Sequence, residues 1–266
     1  SKALEDDSPK IWENLQNNIC FDWDMGDEAK VNDAFSKADQ IINLDLTNNR
    51  IVPNPMEARG VVASFDPENK KYELRCSSQG VHSLRTRISE IMGIEENKLR
   101  VITTDVGGGF GMKIFNFPEY ICALFASKVV NRPVKWVAER SESFLSDTHG
   151  RDHVTSAQLA IDKDGVFLGL KVNTIANLGA YLSNFAIFIP TLAGTAMLAG
   201  CYKTPSIYVN VIGVFTNTPA IDAYRGAGRP EATYTIERLV EKAAMELGMD
   251  KTEIRMKNFP TEFPFK

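Results

Sequence analysis

Apolar residues recur along this chain with two different periods, and the changes of period mark its elements. Val81, Leu84, Ile88 and Ile91 stand three and four apart before Gly93, which predicts an amphipathic helix ended by glycine. Residues 232–247 place Tyr234, Ile236, Leu239, Val240, Ala243 and Ala244 on one broad face before Gly248, a longer helix of the same kind. Asp250 and Glu253 then have capping-box spacing for a short last helix. Residues 60–65 and 71–76 flank Asp66-Pro67-Glu68-Asn69 and read as a β-hairpin; residues 153–162 and 166–175 flank Lys163-Asp164-Gly165 and read as another. Residues 99–104, 133–137 and 207–215 read as strands, 117–130 as a helix, and the stretch ending at Leu46 alternates like a half-buried strand. Strands and helices interleave without strict βαβ alternation, so the expected class is α+β, with mixed sheets and packed helices.

Composition narrows the picture. The 266 residues are 44% hydrophobic and 24% charged, as in ordinary globular proteins, and no apolar run reaches the roughly 18 residues of a spanning helix. The first seven residues lack the basic-then-apolar plan of a signal peptide. A net charge of −4 argues against nucleic acid as the main partner. Residues 1–50 carry a net −6 and the rest +2, so residues 1–36 read as an acidic linker or surface segment, with a docking face as the alternative. Residues 37–266 then form the functional domain, divisible into two subdomains near residue 150. Cys20, Cys76, Cys122 and Cys201 are isolated in sequence, which favours reduced thiols in a cytoplasmic protein over a zinc or iron–sulfur site.

Three segments carry candidate chemistry. Gly107-Gly108-Gly109-Phe110-Gly111-Met112-Lys113 lies between a predicted strand and a predicted helix, where glycines admit close backbone approach and a helix N-terminus adds partial positive charge. It departs from the P-loop and dinucleotide templates at Met112 and, by itself, reads equally well as a tight turn. Tyr224-Arg225-Gly226-Ala227-Gly228-Arg229-Pro230 leads into the long helix and reads as an anion clamp or as a plain helix start with solvated arginines. Arg75-Cys76-Ser77-Ser78-Gln79-Gly80 joins a strand to a helix; Gln79 either offers an amide donor or, with Ser78, caps the helix. His149 and His153 are four apart, but Gly150 and Arg151 argue against a helix there, so hydrogen-bonded or surface histidines are expected. There is no Gly-x-Ser-x-Gly elbow, and the acids at Asp22, Asp24 and Asp27 lack a complete calcium-loop pattern.

Taken in order, these segments resemble the molybdenum-cofactor-binding large subunit of the xanthine oxidase, aldehyde oxidoreductase and carbon monoxide dehydrogenase family. Asn54-Pro55-Met56-Glu57-Ala58-Arg59-Gly60 and the ending from Glu237 to Asn258 look like further family blocks, so the resemblance runs from about residue 50 to the C-terminus. It implies the family's first cofactor-binding domain. Cofactor contacts are then expected from Gln79, Gly108, Gly109, Phe110, Gly111, Arg225 and Gly226. Of these, Gln79, Phe110 and Arg225 come near molybdenum, mostly indirectly or through backbone. The implied cofactor is molybdopterin cytosine dinucleotide, with iron–sulfur clusters and FAD on partner chains or domains.

The implied reaction is hydroxylation with water-derived oxygen. The family's catalytic glutamate sits in a Gly-Glu-Gly-like segment that does not occur here, so no catalytic base is nominated and the isolated chain is expected to be inactive. Ile114 follows Lys113 where purine-oxidising members place a glutamate, which disfavours xanthine. Residues 225–229 hold no cysteine where carbon monoxide dehydrogenases place their copper ligand, which disfavours copper-dependent chemistry. An aldehyde or an uncharged N-heterocycle fits as substrate. Phe185, Phe188 and Ile189 read as core packing rather than as an access channel. The competing readings are a non-catalytic binding or assembly module and a plain nucleotide-binding domain.

Overall fold

A computed structural model describes residues 2–15 and 17–263 of the chain. It divides into two compact units, one formed by residues 1–51, 150–222 and 226–266, the other by residues 52–149 and 223–225. The chain thus crosses between units beside residues 51, 149, 222 and 225.

In the first unit, β1 (Ile19–Gly26), α1 (Glu28–Ser36) and β2 (Gln40–Asn48) come first in the chain. Residues 1–36 were expected as an acidic linker or surface segment, yet β1 is an edge strand paired antiparallel with a later strand and α1 is a helix capped by Asp27. The reason is a period of two hidden under the net charge. Phe21 and Trp23 turn toward the core while Asp22 and Asp24 face solvent, and Phe21 packs where Gly213 leaves no Cβ.

In the second unit, β3 (Gly60–Asp66) and β4 (Lys71–Cys76) form the expected hairpin, and α2 (Val81–Met92) ends at Gly93 in the left-handed conformation, φ +62°. β5 (Leu99–Ile102), α3 (Pro118–Val130), β6 (Val134–Val137) and α4 (Arg140–Ser146) complete it. The sheet order is β5-β4-β3-β6; β4 and β5 run parallel, joined through α2 as a βαβ unit, and the other neighbours are antiparallel. Val61, Ala63, Leu74, Leu84, Ile88, Leu99, Tyr120 and Leu124 form its buried interior. Within that interior lies Arg59, fully buried. It bonds Asp147 at 2.5 Å, Glu119 at 3.0 Å and Ser146 at 3.0 Å, with its guanidinium 3.8 Å from the Phe117 ring centroid.

The first unit continues with β7 (His153–Ile161), β8 (Phe167–Gly179), β9 (Ile207–Phe215), α5 (Arg229–Leu247) and α6 (Lys251–Asn258). Its sheet order is β1-β9-β8-β7-β2, parallel between β8 and β9 and antiparallel elsewhere. The inner face of this sheet packs Ile42, Leu159, Leu170, Val172 and Val211 against Ile236, Leu239, Val240 and Ala243 of α5. That is the face expected from the helix period, except that Tyr234, expected on it, is exposed. Asp250 caps α6 by accepting from the amides of Thr252 and Glu253. Residues 185–193 behave otherwise than expected: Ile189 is buried, but Phe185 and Phe188 are exposed on an irregular helical turn, since the run is apolar on more than one side. Among the described residues, no helix is long and apolar enough to cross a membrane.

His153 is buried on β7, and that burial holds its ring pKa below the usual value, against the opposing pull of Glu231 and Asp152. A depressed histidine is neutral when folded and takes a proton when unfolded. Stability is therefore complete above the unfolded value near 6.5 and falls as pH drops below it, by up to about 1.4 kcal/mol per pH unit. Urea midpoints measured from pH 7.5 to pH 5 are expected to fall more steeply in the parent chain than in His153→Gln. Equal slopes would remove His153 from the acid response.

Candidate cofactor site

The site arises from the parallel pairing of β4 with β5. Arg75 pairs with Ile102, so the C-terminal ends of both strands lie side by side, and the segments that leave them emerge together. Such carboxyl ends are where open sheets place ligands. The two segments are tied at once: the Ser78 amide donates to the Thr103 hydroxyl at 3.0 Å, and that hydroxyl donates back to the Cys76 carbonyl. From β4 the chain runs through Gln79 into α2, and from β5 it runs into the glycine loop.

Gln79 grips that loop twice. Its backbone amide donates to the Lys113 carbonyl at 3.0 Å, and its Oε1 accepts from the Gly111 amide at 2.9 Å. The second bond orients the side-chain amide: with Oε1 engaged, Nε2 is the remaining donor, and it has no acceptor among the described residues. A Cβ at Gly109 would collide with the Gln79 amide, so a larger residue there would push that side chain out of its bond with Gly111. Gly111, at φ +105°, must be glycine because its Cβ would strike the Ala223 carbonyl. Residues 223–225 therefore lie directly against the loop, and the Arg225 amide donates to the Phe110 carbonyl at 2.9 Å. Phe110 is itself at φ +55° with its ring 40% exposed. The amides of Gly108, Gly109 and Phe110 have no acceptor among the described residues. Gln79, the loop and Arg225, far apart in sequence, are thus brought together, with Gln79, Phe110 and Arg225 exposed.

Two expectations are corrected. The helix expected at 117–130 forms as α3, but a single 3-10 turn, Met112–Ile114, separates its N-terminus from the glycine loop. The donors of that loop are its own amides rather than a helix N-terminus, because Gly111 at positive φ and the later Pro118 break helical continuity. Neither Ser78 nor Gln79 caps α2 through its side chain; the N-cap is Gly80, whose amide donates to the Ser78 hydroxyl. The arginine segment is divided by the unit boundary. Arg225 belongs to the second unit, whereas Gly226 and Arg229 belong to the first. There Gly226 (φ +94°) lies against the Pro230 ring, and Arg229 donates to the Ala227 carbonyl at 3.3 Å. The Gly228 amide donates to buried Glu231, which pairs with Arg151 at 3.2 Å.

Glu57 and Lys113 belong with the site, although neither was nominated. Glu57 Oε2 accepts from Lys113 Nζ at 2.7 Å and from the Gly107 amide at 2.8 Å. Burial pushes the Glu57 carboxyl up, but the bonds from Lys113 and Gly107 outweigh it and hold it below its usual value. A lysine beside a glycine loop and an acid in the Asn-Pro-Met-Glu block are visible in sequence, but nothing local joins them. His149 and His153 sit on a loop and a strand, and the His149 ring contacts the Phe144 carbonyl at 3.2 Å. Among the described residues, no three His, Cys, Asp or Glu side chains are placed to hold a bare metal ion.

The family model of the molybdopterin cofactor-binding domain matches residues 11–259. The chain belongs to that family. This molybdopterin-binding domain is 38% identical, over 99% of its length, to the carbon monoxide dehydrogenase large chain of Hydrogenophaga pseudoflava, of which it spans 35%. Among solved structures it superposes on a Cu,Mo-CO dehydrogenase with TM-score 0.90 at 34% identity, covering 99% of this chain and 35% of that one. On quinoline 2-oxidoreductase from Pseudomonas putida 86 the TM-score is 0.92 at 31% identity, covering 100% and 34%. The domain therefore spans about a third of the length of these relatives. The fold is that of the large-subunit domains of the xanthine oxidase family.

The residues present suit such a group. An anionic, oxygen-rich pterin cofactor calls for close backbone approach and fixed donors. The loop supplies donors through its three amides without acceptors, and its missing Cβ atoms at Gly109 and Gly111 let Gln79 and Ala223 close against it and fix its shape.

Proposed function

We propose that this domain forms part of the cofactor site of a molybdenum hydroxylase and binds molybdopterin in its cytosine dinucleotide form. The complete enzyme then oxidises an aldehyde or an uncharged N-heterocycle with oxygen derived from water. The observation that carries this reading is the convergence of Gln79, Gly108, Gly109, Phe110, Gly111 and the Arg225 backbone. When bound, the cofactor supplies two-electron redox chemistry at molybdenum.

The chain's own residues bind and orient. Gln79 Nε2 offers a neutral donor, the loop amides of Gly108 to Phe110 meet anionic oxygens, and the exposed Phe110 ring presents an apolar surface beside them. The Arg225 guanidinium adds contacts from the arginine segment. No catalytic base is assigned to this chain, which lacks a Gly-Glu-Gly segment, and activity requires the remainder of the large subunit. The partners expected with it, in the cytoplasm, are chains or domains that would carry iron–sulfur clusters and FAD and supply electron acceptors. Copper-dependent oxidation of carbon monoxide is not favoured: Cys20, Cys76, Cys122 and Cys201 all lie outside the arginine segment.

The test is an assay of the native, affinity-purified complex for molybdenum and for CMP released by acid hydrolysis. Near-stoichiometric amounts of both are expected. Molybdenum without CMP would change the cofactor form, and absence of molybdenum from a fully assembled complex would overturn the reading in favour of a non-catalytic module.

A further inference from the structure

Lys113 is the cation nearest in sequence to the glycine loop, and a lysine at the end of such a loop is the natural candidate to meet an anionic ligand. Its geometry argues otherwise. The Lys113 side chain is 0% exposed and its ammonium lies 2.7 Å from Glu57 Oε2. A buried ammonium already neutralised by a carboxylate adds little field at a ligand outside, and removing Glu57 would strand the buried Lys113, whereas Glu57, 42% exposed, keeps its contact with solvent.

Glu57 meets the loop at its opposite end. The Glu57 amide donates to the Gly107 carbonyl at 3.1 Å, and the Gly107 amide donates to Glu57 Oε2 at 2.8 Å. Gly107 also has no space for a Cβ, which would press on the Cβ of Glu57. A single carboxylate oxygen therefore joins the first residue of the loop to Lys113, just beyond its last glycine. Between those two anchored ends lie the amides that find no acceptor, together with Gly108, Phe110 and Gly111 at positive φ. A loop that holds a non-glycine residue, Phe110, in that region keeps such a conformation only when its surroundings over-determine it.

We propose that Glu57 and Lys113 are a positioning pair, which brackets residues 107–113 and sets the direction of the loop amides without itself touching the ligand. The proposal rests on the reading of the loop as a cofactor cradle only for its consequence, not for its geometry. Lys113 thus acts on the ligand through the loop backbone, and its charge is answered within the protein.

The experiment uses the native complex carrying Lys113→Met, Glu57→Gln or both. Two readouts are taken: hydrogen exchange at the Gln79, Gly111 and Met112 amides, and molybdenum content. Those amides bond to the Lys113 carbonyl, Gln79 Oε1 and the Gly109 carbonyl, never to the substituted side chains, so their exchange reports loop shape. Each single variant is expected to speed their exchange and lower molybdenum content by about tenfold. The double variant, which leaves no unpaired charge, is expected to recover part of both. Unchanged protection in the β3–β4 hairpin shows that the unit is still folded.

Molybdenum loss in Lys113→Met with unaltered loop exchange would mean direct ligand contact and would overturn the proposal, as would exchange unaltered in all three variants. A parent complex without molybdenum whose loop exchange still responds would sink the cofactor reading and leave the positioning pair standing.

Discussion

Replacing Arg59 with methionine is expected to cost the second unit about 3–5 kcal/mol, the usual consequence of stranding buried charge. Arg59 is fully buried and is the shared partner of Asp147, itself 1% exposed, and of Glu119. It ties the start of β3 to the first turn of α3 and to the end of α4. Without it, burial and the Glu119 charge press on Asp147 with only Arg140 opposing them, and Asp147 must protonate, find water or unfold its surroundings. Against the 5–15 kcal/mol that holds a typical domain, such a loss is close to disabling. Urea unfolding followed through Trp136 reads it directly, because that ring lies 5.2 Å from the guanidinium. Adding Asp147→Asn is expected to return part of the loss, since the stranded charge is gone. A cost below about 1 kcal/mol would place the triad among the weak, solvent-screened pairs.

Gly111→Ala is expected to be the most damaging small change at the site. Backbone strain at φ +105° contributes about 1–3 kcal/mol, and the new Cβ must also displace the Ala223 carbonyl. The segment 223–225 then retreats and the bond from the Arg225 amide to the Phe110 carbonyl breaks. The native complex is expected to lose its molybdenum while the sheet of the unit stays folded. Gly93→Ala is the control: it shares a positive φ, +62°, but has nothing within 4 Å of a Cβ. It is expected to cost about 1 kcal/mol and to leave molybdenum content unchanged. Equal molybdenum retention in both variants would separate the close approach at Gly111 from cofactor binding.

Much of the fold is legible from local pattern. The hairpin of β3 and β4, the glycine stop of α2 and the broad apolar face of α5 each follow from residues within one or two turns of one another. β1 was hidden because its alternation is carried by Phe21 and Trp23 between aspartates, and the charge of the segment outweighed its period. Phe185 and Phe188, expected in the core, are exposed, since an apolar run without a clear period says nothing about which side chains face solvent. The site shows the same division. Gln79, the glycines and Arg225 stand out because their residue types advertise donors and close approach, whereas the bond that orients Gln79 joins residues 32 apart.

The sequence by itself determined the elements, the places where the backbone has to turn sharply or lack a Cβ, and the supply of neutral and guanidinium donors near the glycine loop. These are local properties, written in side-chain period and in the conformational freedom of glycine. Tertiary structure alone decided which charges answer one another and which amides stay without acceptors. Lys113 pairs with Glu57 across 56 positions and Arg59 with Asp147 across 88. Spacing along a chain carries no record of such pairs, because the parallel pairing of β4 with β5 and the return of residues 223–225 set the distances that electrostatics then acts upon.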